Sequence, residues 1–163
     1  MWLAWFMPPS VYIETSIVSY LVARPSRDPM MAERQRQTRH WWDNQRGEYQ
    51  LFASELAYEE AALGEAAMAR QRIAVLTGLA LLPAPHEVES LAQALVARGP
   101  LPPKARTDAL HISIAAVGGI DFLLTWNCTH IANPRMYPTI RRICRERGYT
   151  PPVLCTPDDP LWR

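Results

Sequence analysis

The sequence predicts an α/β fold in which a central, mainly parallel sheet is covered by helices on both faces. Three observations predict it. Short β-branched and aromatic runs alternate with longer helical stretches along the whole chain, the pattern that builds parallel sheets with crossover helices. The 163 residues, 48% of them apolar, suit one domain with a real core. There is no internal repeat, low-complexity tract or second composition zone to divide the chain.

Residues 1–10 are expected to form a short leader. The start is apolar but has neither a basic n-region nor a long apolar stretch, so it does not read as a signal peptide, and Met7 offers an alternative start. Val11-Tyr12-Ile13 is the first strand. Thr15 or Ser16 is expected to cap a short helix reaching about Ala23, ended by Arg24-Pro25. A second helix is expected from Arg27 to about Arg46, with Asp28 as cap, Pro29 in the first turn and Gly47 closing it. Tyr49 to Ala53 is the second strand. Ser54 then opens a long Ala- and Glu-rich helix into the seventies, with Gly64 as its weak point.

Leu79 to Leu82 is a third short strand, ended by Pro83 and Pro85. His86 to Arg98 is amphipathic, with Val88, Leu91, Leu95 and Val96 toward the core. After a proline-rich loop, Lys104 to Val117 reads as a heavily buried helix stopped by Gly118-Gly119. Phe122 to Thr125 is the clearest strand in the chain. A last helix covers about Pro134 to Arg147, and Val153-Leu154-Cys155 is a final edge strand. The expected organisation is one domain over 11–157 and a tail over 158–163.

Composition narrows the function. A net charge of +1 argues against binding nucleic acid by bulk charge alone. Lys104 is the only lysine; arginine carries the positive charge, which suits phosphate and carboxylate recognition or reflects nothing more than codon usage. Cys128, Cys144 and Cys155 are an odd, loosely spaced set, read as free thiols in a reducing, cytoplasmic compartment. No apolar run reaches the roughly 18–20 residues that span a bilayer, so no membrane partner is expected.

In open α/β sheets the functional crevice lies beyond the carboxyl ends of the strands. Two polar clusters stand there: Glu14-Thr15-Ser16 after the first strand and Thr125-Trp126-Asn127 after the fourth. Neither is glycine-rich, so a nucleotide cofactor is set aside. There is no HExxH and no clustered His/Cys set, so zinc is not expected; Cys128 and His130 alone do not make a site. Further acidic candidates lie on helices. Glu55, Glu59 and Glu60 follow the second strand, and Asp108 opens the helix beginning near Lys104. The ordinary readings are a solvated face for the glutamates and a dipole-complementing charge for Asp108. Gathered together, such carboxylates need a cation to offset their repulsion. Mg²⁺ takes oxygen ligands and can orient a water and stabilise the leaving oxygen of a phosphodiester.

Tyr12-Ile13-Glu14-Thr15-Ser16 resembles the opening motif of PIN domains, a strand ending in an acidic residue followed by Thr-Ser. Ser54-Glu55-Leu56-Ala57-Tyr58-Glu59-Glu60 resembles the second motif, and its spacing singles out Glu59. Thr107 to Ile112 resembles the third, with Asp108 opening a buried helix. Phe122 to Asn127 resembles the fourth, a strand ending in Thr-x-Asp or Thr-x-Asn. Each motif alone is unspecific; four in the family's order are not. The nearest relatives suggested are VapC-like ribonuclease toxins of type II toxin–antitoxin modules.

The resemblance implies a three-layer α/β/α PIN-like fold and Mg²⁺- or Mn²⁺-dependent cleavage of RNA, often structured. It also implies a homodimer and a cognate antitoxin whose tail covers the acidic pocket. The implied catalytic set is Glu14, Glu59, Asp108 and Asn127. Glu14, Glu59 and Asp108 would hold metal, with Thr15, Ser16 and Thr125 around them. Two positions depart from the pattern: Glu14 stands where Asp is usual, and Asn127 where Asp is frequent.

Arg34, Arg36, Arg39, His40, Trp41, Trp42 and Arg46 crowd the second helix. They read either as a surface for RNA or antitoxin, or as core tryptophans with solvated arginines. The arginines of the last helix are read as solvated and favoured by the helix dipole. Two alternatives stay beside the toxin: a catalytically weak PIN-like module binding RNA or protein, and a metal-dependent phosphatase or DNA nuclease of similar architecture.

Overall fold

The computed structural model describes residues 7–163. Most of the expected leader therefore lies outside the described residues. Its last residue, Ser10, already belongs to the first strand, because its position pairs with Gln50.

Five strands form one wholly parallel sheet: β1 (Ser10–Ile13), β2 (Gln50–Ala53), β3 (Ala80–Leu81), β4 (Phe122–Leu124) and β5 (Val153–Cys155). Their order is β3-β2-β1-β4-β5. The chain winds outward from β1 through β2 to β3, then returns to the other side of β1 as β4. The winding reverses between β1 and β4, where open α/β sheets carry their crevice.

Seven α-helices flank the sheet among the described residues: α1 (Thr15–Val22), α2 (Pro29–Asn44), α3 (Glu55–Ala61), α4 (Ala66–Thr77), α5 (His86–Ala97), α6 (Arg106–Val117) and α7 (Tyr137–Glu146). The alternation of β1 side chains sorts them into layers. Val11 and Ile13 face the core that holds Ile17 and Val18 of α1, Trp41 of α2, Ala57 of α3 and Leu76 of α4. Tyr12 faces the opposite core, built on Leu91 and Leu95 of α5, Ile112 of α6 and Ile140 of α7. The fold is a three-layer α/β/α sandwich, as the alternating pattern predicts.

Three local expectations are corrected. The helix expected from Ser54 into the seventies is two helices, α3 and α4, parted around Gly64. That residue has φ +85°, a conformation costly for any residue with a Cβ. Helix α1 is capped by Glu14 itself, whose side chain accepts the Ser16 backbone N–H, rather than by Thr15 or Ser16. The expected tail over 158–163 is packed. Trp162 is buried, with its ring centroid 5.4 Å from Trp41, 5.3 Å from Tyr49 and 5.3 Å from Phe122. Its indole N–H donates to the Thr156 carbonyl at 2.8 Å. A terminal aromatic beside an aromatic wall buries too much apolar surface to stay in water.

All three cysteines are free, with Cys144 and Cys155 buried and Cys128 exposed. No helix among the described residues is long and apolar enough to cross a membrane.

Candidate functional site

Backbone pairing brings the two polar clusters together. Parallel pairing of β1 with β4 matches Ile13 with Leu124, and the Glu14 N–H donates to the Leu124 carbonyl at 3.1 Å. Glu14 and Thr125 thus emerge side by side at the carboxyl edge, where the winding reverses. The Glu14 side chain is 6% exposed. Its carboxylate accepts the Ser16 N–H at 3.0 Å, the Thr125 hydroxyl at 2.6 Å and the Ser16 hydroxyl. Ser16 Oγ in turn accepts the Trp126 N–H at 2.8 Å, and Thr125 Oγ1 accepts the Asn127 N–H at 2.9 Å. The buried carboxylate is satisfied by these hydrogen bonds.

Helix α3 brings a second carboxylate, and it is Glu60. Ser54 caps α3, and Ala57 and Ala61 are its buried positions. Glu60 lies beside them in helical phase and is drawn to the sheet edge. Its Oε1 accepts the Thr15 hydroxyl at 2.7 Å and lies 2.5 Å from His111 Nε2. The sequence motif points to Glu59, and the structure does not bring Glu59 to this cluster. Glu59 shares the opposite face with Glu55, is exposed, and lines a separate cleft with Leu56, Pro85 and Leu110. One residue along a helix is a 100° turn, enough to move a side chain from the core edge to solvent.

The third member is His111 of α6, 1% exposed. Its Nδ1 lies 2.7 Å from Tyr12 Oη, which lies 2.7 Å from Ser54 Oγ. Burial disfavours charge on both His111 and Glu60. Their mutual hydrogen bond overrides it, helped at His111 by the negative charges of Glu14, Glu60 and Asp108. His111 is held above the usual imidazole range and Glu60 below the usual carboxylate range. Burial also pushes the Tyr12 phenol well up, so it stays protonated. One ligand atom each from Glu14, Glu60 and His111 lies within 4.8 Å of the other two.

Asp108 stands beside this cluster with partners of its own. Its Oδ1 accepts the Asn127 amide at 2.9 Å, and its Oδ2 lies 2.8 Å from His130 Nδ1. Asn127 Oδ1 closes the loop by accepting the His130 N–H at 3.0 Å. Both Asp108 and His130 are mostly buried. The site thus has an inner group, Glu14-Glu60-His111, and an adjoining one, Asp108-Asn127-His130. Thr125 joins them through its bonds to Glu14 and Asn127.

The sequence offers Glu60 as an acidic candidate but ranks Glu59 above it, sets His130 aside, and gives no site role to His111 or Tyr12. Two signals were available. Glu60 lies three and six positions after Ala57 and Ser54, on the inward face, while Glu55 and Glu59 pair on the other. His111 is three residues after Asp108, so the two share a face of α6.

The aromatic-basic cluster of α2 divides. Trp41 is core. Trp42 is half-buried with the Arg46 guanidinium 4.6 Å from its ring centroid. Arg34 lies 5.2 Å from the ring centroid of Trp126, which follows β4 and donates its indole N–H to Thr38 Oγ1 at 2.7 Å. Arg36 is paired with Glu33. On α7, Arg142 pairs with Glu146, which Arg98 also reaches.

Compared with known proteins, the chain matches no protein-family model and no curated protein.

Proposed function

We propose that this chain is a divalent-metal-dependent endoribonuclease of the PIN-like, VapC-like type, acting in the cytoplasm as the toxin of a toxin–antitoxin pair. The observation that carries the reading is the convergence of Glu14, Glu60 and His111 at the winding reversal of a parallel sheet, with Asp108 beside them. The donor set suits a divalent cation: two carboxylates supply negative charge and oxygen ligands, and the imidazole supplies a neutral nitrogen. Glu14, Glu60 and His111 are the residues that would hold it. Bound there, Mg²⁺ or Mn²⁺ supplies positive charge for a phosphodiester and activates water for hydrolysis.

The rest is done by the chain. Thr15, Ser16 and Thr125 fix the two carboxylates before any ligand arrives, which lowers the cost of organising the site. Asp108, positioned by Asn127 and His130, accepts a proton or orients the attacking water at the mouth of the cluster. Arg34, over the ring of Trp126, offers a guanidinium to an RNA phosphate. RNA substrate, cognate antitoxin and homodimer belong to this same reading.

A specific observation favours a second reading, a PIN-like binding module. His111 neutralises Glu60 from within the protein, and every Glu14 contact is an internal hydrogen bond.

The experiment is cleavage of total RNA by purified, antitoxin-free protein with Mn²⁺ or Mg²⁺, with EDTA, and beside Asp108→Ala and Glu60→Gln. Discrete fragments that require metal, Asp108 and Glu60 are expected. Absence of cleavage by folded, metal-loaded protein, or full activity in folded Glu60→Gln, overturns the enzyme and leaves the binding module.

A further inference from the structure

Resting on the metal-dependent reading, we propose that His111 Nε2 is a direct nitrogen ligand of the bound cation, completing a set with Glu14 and Glu60, and that the site therefore selects a transition cation of the Mn²⁺ kind over Mg²⁺.

The argument begins with the imidazole's outer nitrogen. Nδ1 lies 2.7 Å from Tyr12 Oη, and Tyr12 Oη lies 2.7 Å from Ser54 Oγ. A neutral phenol has one proton. Directed to Ser54, it leaves the phenol oxygen to accept Nδ1–H. Ser54 is itself fixed, since its hydroxyl oxygen also accepts the Ala57 N–H at 3.2 Å as the cap of α3. With the phenol proton directed to Ser54, the chain Ser54-Tyr12-His111 holds the proton on Nδ1, and the ring is turned so that Nε2 faces Glu60. Ligating histidines are held this way, with the far nitrogen donating to a buried acceptor that sets tautomer and ring angle.

What Nε2 meets is equally specific. It lies 2.5 Å from Glu60 Oε1, and one ring nitrogen of His111 lies within 4.8 Å of a Glu14 oxygen. The ring is 1% exposed, so it is not a surface histidine that fell near a carboxylate. Asp108 is drawn aside by Asn127 and His130, which leaves the third inner position to the imidazole. Mg²⁺ is bound through oxygen and retains its waters, whereas imidazole suits the first-row transition cations. A set of two carboxylates and one imidazole thus discriminates where three carboxylates would not.

The test uses Mn²⁺ as probe and pulsed electron paramagnetic resonance as readout. Full-length protein loaded with Mn²⁺ is expected to show modulation from a directly bound ¹⁴N, replaced by the ¹⁵N pattern when histidine is isotopically labelled. The coupling is expected to disappear in His111→Gln and persist in His130→Ala. Tyr12→Phe, which removes the Nδ1 partner, is expected to weaken Mn²⁺ binding by about 10- to 100-fold. Mg²⁺ at equal concentration is expected to leave the Mn²⁺ signal in place. The labelled wild type decides the matter even where His111→Gln does not fold. Bound Mn²⁺ with no nitrogen coupling, a coupling lost in His130→Ala, or displacement by equimolar Mg²⁺ overturns the inference. If metal-dependent cleavage accompanies that result, the nuclease stands and only the ligand assignment falls. Failure of Mn²⁺ to bind at all overturns both.

Discussion

Glu59 and Glu60 differ by one position and have opposite surroundings. Glu60 is bonded to Thr15 and His111, while Glu59 is exposed on the far face of α3. On the proposed nuclease reading, Glu60→Gln is expected to lower RNA cleavage by about 10- to 100-fold, as loss of a metal-site contact does. Glu59→Gln should remain within about twofold of wild type, as surface changes do; initial-rate assays under identical metal decide it. The pair Glu60-His111 also carries a pH signature. Tyr12, Glu14, Asp108 and Glu60 are the titratable groups facing His111. His111 is raised above its ordinary 6.5. Its stabilisation is full below that value and is lost as pH rises through the folded pKa. Glu60 is lowered from its ordinary 4.5. Its stabilisation is full above that value and is lost as pH falls through the folded pKa. Metal-free wild type should therefore exceed Glu60→Gln in thermal stability most between the two ordinary values. A margin that grows above pH 7 would contradict the charge pair.

At the scale of elements, α3 is the part whose seating sets the site. It is seven residues long and begins on Ser54, which touches both the Ala57 N–H and Tyr12 Oη. Ser54→Ala is expected to cost about 1 kcal/mol as a lost cap and to loosen Tyr12 and His111 together. A urea melt reads the first effect and Mn²⁺ affinity the second. An unchanged affinity would separate the cap from the site. The break at Gly64 carries its own expectation. Gly64→Ala forces a Cβ into positive φ and is expected to destabilise by about 1–2 kcal/mol, although the nearest neighbour to that Cβ is only Arg72 at 3.9 Å. The cost is conformational rather than steric. The sequence marks Gly64 as weak but reads one helix, because alanine and glutamate on either side have high helix propensity and propensity does not report backbone hand.

Over the whole molecule, the alternation of elements was enough to read the parallel sheet and its two helical layers. Strand period and helix period are local properties of the chain, and each of β1, β2 and β4 is legible from its own residues. The inner cluster was only half legible. Glu14 stands out because a carboxylate directly after a buried strand needs an explanation. His111 and Glu60 acquire theirs only when α3 and α6 are laid against the same sheet edge, a fact of tertiary packing that no single helix encodes. Trp162 makes the same point at the end of the chain. Its burial against Trp41, Tyr49 and Phe122 follows from where β5 delivers it, and a polar-looking terminal stretch conceals it. Trp162→Ala is expected to cost about 3–5 kcal/mol in chemical denaturation. A loss below about 1 kcal/mol would return those residues to the status of a loose tail.

The bond from Thr125 to Glu14 spans 111 positions in sequence, and the one from His111 to Glu60 spans 51. Apart from Ser16, which holds Glu14 from two positions away, the partners of the inner carboxylates come from distant parts of the chain. A nascent chain still lacking β4 has no Thr125 to fix Glu14 and no reversal of the sheet to open a crevice. The cluster is therefore complete only once the chain has been made as far as Thr125 and β4 has paired with β1.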